Sequence, residues 1–237
     1  MQFKNRVKML VAVTVLLAAS VQARAESSYA NEAEVYEAIE QFMDIVNNDN
    51  EFFEFPINGV EVDERCTKFM NTNLTLGKLG QYIKNEVQSN AKKYPYLLGS
   101  SQMKSLCPKY SNMNVSDKAF IWTLVMTTMA HLESNCNINA SIKGPNGKTS
   151  GFYQLHNGKE DFYDGEKSEC FKYAGADPQS SSRCALAMLD LQMKNNDGAL
   201  FTKKSYWDVL RPSGVASSLS KAPQKIKKAI TNHRACR

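Results

Sequence analysis

What this sequence lacks narrows it before any motif is read. Histidine is scarce, with three in 237 residues. No Cys-x-x-Cys pair occurs among the cysteines, so a zinc site has no support in the sequence. No apolar run is long enough to span a bilayer as a stable helix. Internal repeats and low-complexity tracts are also missing. Surplus charge disappears once the N-terminal segment is set aside. There Lys4, Arg6 and Lys8 precede an apolar stretch from Met9 to Ala19, and Ala23-Arg24-Ala25 makes an A-x-A cleavage site before Glu26. An export signal is therefore expected over residues 1–25. It carries four cations and no acid, so the formal +5 falls to +5 − 4 = +1. That balance gives no electrostatic footprint for nucleic acid. No cysteine stands at the cleavage point, which argues against a lipid anchor there. The expected product is an exported protein, periplasmic or secreted, of 237 − 25 = 212 residues, a size that suits one domain or one domain with a helical extension.

All six cysteines (Cys66, Cys107, Cys136, Cys170, Cys184 and Cys236) follow that signal. An even number in an oxidising compartment reads as three disulfides, with 15 pairings open. The chain reads as mostly helical. Asn31 to Asn47 carries Val35, Ile39, Phe42, Met43 and Val46 on one helical stripe. Glu51 to Asp63 reads as irregular. A second helix is expected from about Thr75 to Lys93, with Pro95 marking its end. Ser116 offers an N-cap and Asp117 a first-turn acid for a helix whose residues from Ala119 to Leu132 are almost all apolar or small. A helix apolar on nearly every side is buried all round, so this one should be central. Asn135 to Ser150 is polar, with turn residues at Gly144-Pro145-Asn146-Gly147. Gly151 to His156 reads as a short strand or tight turn. Helical periodicity returns from Ser182 to Lys194 and from Tyr206 to Leu210.

Glu133 stands at the end of the central helix. A helix C-terminus carries partial negative charge, and burial penalises an anion, so both raise the proton affinity of a carboxyl group there. A carboxylic acid kept neutral in a groove is what protonates a glycosidic oxygen. On the helix alone, a surface Glu paired with a lysine is the plainer alternative.

Glu133-Ser134, the turn-rich loop, and Gly151-Phe152-Tyr153-Gln154-Leu155 resemble the Glu-Ser and Gly-x-x-Gln motifs of soluble lytic transglycosylases and goose-type lysozymes. Asp177-Pro178 and the helix through Cys184 to Leu189 are similar to the segment that family places next. The likeness covers roughly residues 116 to 210. It implies a mostly α, lysozyme-like, disulfide-stapled domain with a small strand or turn region, acting on the MurNAc–GlcNAc β-1,4 bonds of peptidoglycan. It further implies Glu133 as general acid/base, with Ser134, Gly151, Tyr153 and Gln154 at the sugar groove. No metal or cofactor is implied, and a monomer is expected. On this reading residues 26–115 form an N-terminal helical extension packed on a catalytic domain at 116–237.

The chain departs from the family pattern in three places. The loop between Glu133 and Gly151 is about three residues longer. The later Ala-Tyr-Asn motif is missing, and Tyr206 is the nearest substitute. Asn135 to Gln154 contains no acid, and His156 stands where goose-type hydrolases carry one. The expected second acid/base candidates are therefore His156, Asp161 and Asp164, with Glu160 beside them. A lytic transglycosylase needs only one carboxylate, so the missing acid favours that mechanism. Some secreted members of the family, including a lysozyme type of predatory bacteria, are specialised for deacetylated glycan. The rival from another class is a non-catalytic wall-binding protein that keeps the fold. The tail from Lys221 to Arg237 has six cations and no acid; it reads as a solvated helix face held to the body by Cys236, or as a contact for anionic wall groups.

Overall fold

The computed structural model describes residues 63–144, 147–165 and 167–237. The expected signal segment, the expected helix from Asn31 to Asn47, and most of the stretch from Glu51 to Asp63 lie outside the described residues. The described residues fall in two compact units, 142–144 with 147–148 in the first and 63–141 with 149–237 in the second. The second unit contains all the described helices, and residues on both sides of position 115 belong to it.

In chain order its helices are α1 (Lys78–Ser89), α2 (Pro95–Gly99), α3 (Ser101–Leu106), α4 (Val115–Ser134), α5 (Pro178–Lys194), α6 (Val215–Ser220) and α7 (Ala222–Asn232), with α4 at the centre. Asn114, not Ser116, caps α4: its Oδ1 accepts the Asp117 N–H at 2.9 Å. Both residue types serve as caps, and the asparagine is simply reached first with its backbone extended. Along α4, Ile121, Trp122, Leu124, Val125, Met126, Met129 and Ala130 are buried. Polar side chains on the helix are satisfied without water. Thr123, Thr127 and Thr128 each donate to the carbonyl four residues back, at 2.8–2.9 Å. Trp122 Nε1 donates to the Tyr110 hydroxyl at 2.9 Å and to the Leu97 carbonyl at 3.1 Å. The helix can therefore be enclosed on all sides, with α1, α2 and α7 packed against it.

Pro95 does not close the second expected helix. Helix α1 ends at Ser89, a 3-10 turn follows at Ala91–Lys93, and Pro95 opens α2 as its first residue. Proline fits there because its missing N–H has no intrahelical partner in any case. Similarly, α5 begins at Pro178, four residues before the expected Ser182. Asp177 caps it by accepting the Ser180 N–H at 2.8 Å.

A small sheet in the order β1 (Ser141–Gly144), β2 (Gly147–Ser150), β3 (Leu155–His156) follows α4. Strand β3 pairs antiparallel with β2 through Thr149 with His156 and Ser150 with Leu155. Three disulfides are present: Cys66–Cys136, Cys107–Cys236 and Cys170–Cys184. The first fastens the segment just beyond α4. The second ties the C-terminus to the end of α3. In α7, Ala222, Ile226, Ala229 and Ile230 face inward, while Lys221 and Lys228 are exposed. No helix among the described residues is long and apolar enough to cross a membrane.

Asp190, fully buried on α5, carries a structural load of its own. Its Oδ1 accepts the Tyr96 and Leu97 N–H groups at the start of α2, at 2.9 and 2.8 Å, and Lys167 Nζ lies 3.1 Å from Oδ2. An anion at a helix N-terminus satisfies donors that have no intrahelical acceptor. Asp190→Ala would leave the Tyr96 and Leu97 N–H groups without their acceptor and remove the carboxylate beside the Lys167 ammonium. We expect it to cost about 3 kcal/mol and to lower the thermal midpoint by about 10 °C; an unchanged melting curve would refute this account.

Candidate active site

Helix α4 delivers Glu133 one residue before its end, and Asn135 turns the chain out of the helix at φ 52°. The neighbouring Ser134 hydroxyl is buried and lies 2.9 Å from both the Ala130 and Phe152 carbonyl oxygens. Its proton thus ties the helix end to the Gly-Phe-Tyr-Gln turn. Glu133 itself is half-buried. Removal from water, then the negative charge of Asp208, push its carboxyl up to about 8. The Arg211 guanidinium and a hydrogen bond from the Val209 N–H act in the opposite direction. A carboxyl group in this setting keeps its proton at neutral pH.

The turn is organised from within. Gln154 Nε2 donates to the Gly151 carbonyl at 2.8 Å and to the Ala140 carbonyl at 3.2 Å, and its Oε1 accepts from Thr149 Oγ1 at 2.8 Å. Both amide protons are thereby committed to backbone. Gly151 has φ +80°, and a Cβ there would meet the Gly175 carbonyl oxygen at 1.9 Å. Its freedom lets the backbone pass close to the 174–176 turn. Tyr153 is fully buried, so a stacking surface for substrate is not what this ring provides. Its edge meets Phe69, and Phe152 does the same more closely, at 4.8 Å between centroids.

The Tyr206-Trp207 pair grips the same turn from outside. Trp207 Nε1 donates to the Tyr153 carbonyl at 2.8 Å. The Tyr206 hydroxyl donates to the Gln154 carbonyl at 3.0 Å and accepts the His156 N–H at 2.9 Å. Burial raises the Tyr206 phenol, and Glu133 lies near enough to raise it further. These bonds carry the next residues to Glu133, a placement the expected second acids do not share. Asp208 Oδ2 accepts the Ala216 N–H at 2.6 Å near the start of α6, and its Oδ1 is 3.6 Å from Arg211 Nη1. Arg211 also donates to the Ser205 carbonyl at 2.8 Å and the Tyr206 carbonyl at 3.2 Å. A Cβ on Gly214 would sit 2.2 Å from Asp208 Oδ1, so the carboxylate is packed tightly against the backbone. Asp208, Val209 and Arg211 are the residues that sequence reasoning missed. The only signal for them was their position just after Tyr206-Trp207.

Of the expected second acids, Asp164 and Glu160 have bonds within their own loop, and His156 packs on Tyr206. Asp164 is buried and accepts the Glu169 and Cys170 N–H groups at 2.5 and 2.6 Å, a loop-closing role. Asp161 is exposed. Glu160 is fully buried and accepts the Tyr173 N–H at 3.0 Å. His156 is half-buried; its Nδ1 lies 2.7 Å from the Tyr163 hydroxyl, and its ring packs beside Tyr163 and Tyr206. Burial, then Lys159, lower its proton affinity, so it is neutral near pH 7. Among the described residues, no group of three or more His, Cys, Asp or Glu could hold a metal.

No protein-family model matches this chain, and no curated protein does. Three solved structures of DslA (Bd0314), a Bdellovibrio protein, share its fold. The wild-type form superposes with a TM-score of 0.53 at 23% identity, covering 68% of this chain and 91% of DslA. Two single Glu→Gln mutants of DslA match at TM-scores of 0.53 and 0.52, with 22% and 23% identity and the same coverage.

Two consequences of this geometry can be measured. Folded Glu133 holds its proton up to about pH 8, whereas the unfolded carboxyl releases it near the ordinary 4.5. Unfolding therefore releases a proton in that window, and the group's contribution to stability falls as pH rises from about 4.5 to 8, then levels off. Glu133→Gln keeps the acceptor for Val209 N–H and removes the titration. Its thermal midpoint should match wild type near pH 4 and exceed it by about 5 °C at pH 8; a pH-independent difference would contradict the raised affinity. Gly151→Ala should destabilise by about 2 kcal/mol or more, read in denaturant titrations, and full stability would show that Gly175 can move aside.

Proposed function

We propose that this protein cleaves the MurNAc–GlcNAc β-1,4 bonds of peptidoglycan, with Glu133 as general acid/base. The observation that carries the reading is the carboxyl group of Glu133, kept protonated to about pH 8 at the end of a buried helix and held against the Tyr206–Arg211 segment. The family resemblance of Glu133-Ser134 and Gly151 to Gln154 supplies the substrate class. The three disulfides and the expected signal segment suit work outside the cytoplasm.

Glu133 donates its proton to the glycosidic oxygen as the C1–O4 bond breaks. As carboxylate it then takes a proton from the C6 hydroxyl of the muramic acid, whose oxygen attacks C1 and closes a 1,6-anhydro ring. This one-carboxylate route is the preferred form, since Glu160 and Asp164 are committed to the fold. The nearby Asp208 favours a second form. A carboxylate beside the acid is what a lysozyme-type hydrolase requires. Against that form, both Asp208 oxygens already have partners, Oδ2 the Ala216 N–H and Oδ1 the Arg211 guanidinium. Its charge therefore acts on Glu133 by holding the proton in place. Glycan that carries deacetylated sugars belongs to the same proposal as a substrate variant, and the non-catalytic wall-binding reading is its rival.

The test is mass spectrometry of muropeptides released from intact and from deacetylated peptidoglycan by wild type and Glu133→Gln. Anhydro-muramyl ends, lost in the variant, are the expected result; reducing ends would establish the hydrolase. Release from one wall only would fix the substrate. Binding without release by both proteins would leave the rival standing. Activity should fall as pH rises through about 8, because the donor form of Glu133 is then lost.

A further inference from the structure

Few large apolar side chains face water on this molecule, and they are not scattered evenly. Among the described residues, Tyr96, Val115, Phe162, Phe171 and Tyr173 are the exposed ones. Three of those five fall within twelve positions of one loop, and Phe162 and Tyr173 are exposed to 77% and 61%.

The backbone of that loop is tied down at several points. Glu160, fully buried, accepts the Tyr173 N–H at 3.0 Å and so joins the turn before Phe162 to the residue beyond Phe171. Buried Asp164 closes the middle by accepting the Glu169 and Cys170 N–H groups. The Cys170–Cys184 disulfide then fixes the segment to α5. Tyr173 itself has φ 67°, a left-handed conformation that costs a non-glycine residue on the order of 1 kcal/mol. Its ring lies over Gly158, where a Cβ would come within 3.5 Å of it. An exposed aromatic ring held in a strained backbone earns nothing for the core. Burial does not explain its presence.

The loop is continuous with the candidate active site. Tyr163, between Phe162 and Asp164, meets His156 through its hydroxyl and Tyr206 edge-to-face at 4.9 Å, and Tyr206 opens the short segment whose Val209 N–H bonds to Glu133. The composition also selects the ligand chemistry. The rings stand singly beside exposed ions: Asp161 before Phe162, and Lys172 between Phe171 and Tyr173. Protein interfaces exclude charge from their centres and need a wide contiguous area. A sugar ring has an apolar C–H face and a rim of hydroxyls, which suits isolated rings flanked by hydrogen-bonding groups. A ring fixed in advance also gives up little entropy on binding.

We propose that Phe162 and Tyr173, supported by Phe171, form a stacking platform for the glycan strand beyond the bond being cut. The inference rests on the proposed function for its choice of glycan. Its test uses binding instead of turnover: co-sedimentation of Glu133→Gln with purified, insoluble peptidoglycan, compared with the same chain carrying Phe162→Ala and Tyr173→Ala. Tyr96→Ala in the same background is the control for generic loss of an exposed ring. The expected result is about tenfold weaker sedimentation for the double change, with its melting curve and the Tyr96→Ala control unaltered. Equal binding by the double variant, or an equal loss in the Tyr96→Ala control, would overturn the platform alone. Failure of the Glu133→Gln chain itself to sediment would overturn the platform together with the peptidoglycan reading.

Discussion

A carboxyl group removed from water at the end of an enclosed helix is the constraint around which the rest of this structure is arranged. Burying a carboxyl is unfavourable for its anion, and a protein can hold one there only by surrounding it with a frame that does not give way. The frame here has three parts. Helix α4 supplies Glu133 and is itself enclosed, its threonines turned onto their own helix and its tryptophan bonded to Tyr110 and Leu97. The Gly151–Gln154 turn is tied to the helix end through the Ser134 hydroxyl. The Tyr206–Arg211 segment is tied to that turn through two ring donors and one backbone N–H. Each part is held by the next, so the position of Glu133 is determined by contacts on both sides of it.

This arrangement gives the Gly-x-x-Gln residues a different use from the one their motif suggests. Gln154 spends its amide protons on backbone carbonyls, Gly151 makes room for Gly175, and Tyr153 offers its carbonyl to Trp207 while its ring joins the core. They form the wall, and their effect on chemistry passes through geometry. A glutamine with its donors used up and a tyrosine with no exposed surface are positioning groups. Substitution at either should be read first as damage to the turn.

Local pattern made much of the fold legible. The apolar run through Ile121 to Ala130 marked the enclosed helix and put Glu133 at its end, the even cysteine count marked disulfides, and Asp177-Pro178 lay where a helix does begin. The errors were of two kinds. Caps and breakers shifted by a few residues, because Asn114 precedes Ser116 and because Pro95 serves as readily to start a helix as to stop one. The larger miss was Asp208, and it has a physical reason. Seventy-five residues separate it from Glu133, and the segment that carries it is fastened by Tyr206 and Trp207 to carbonyls of the 151–154 turn. Backbone carbonyls carry no residue identity, so nothing in the sequence announces those bonds. The search for a second acid or base looked instead at His156, Asp161 and Asp164, close in sequence to the motif, and the fold uses the last to close a loop.

The proposed one-carboxylate reaction would ask Glu133 to serve as acid and then as base, and the charges around it bear on both roles. Asp208 raises the proton affinity of Glu133, and Arg211 lowers it, from within four residues of each other. Were Asp208 alone there, its own repulsion and that of a newly ionised Glu133 would oppose the second half of the reaction, in which the carboxylate must exist long enough to collect a proton. Arg211 offsets that repulsion, and the Val209 N–H stabilises the anion directly. The two carbonyl bonds of Arg211 fix where its charge sits. A group acting as acid first and base afterwards, as proposed, would need both influences at once, and one short segment supplies them. Raising the affinity far enough to keep the proton at rest, without raising it so far that the anion never forms, is a balance that a lone buried carboxyl at a helix end does not achieve.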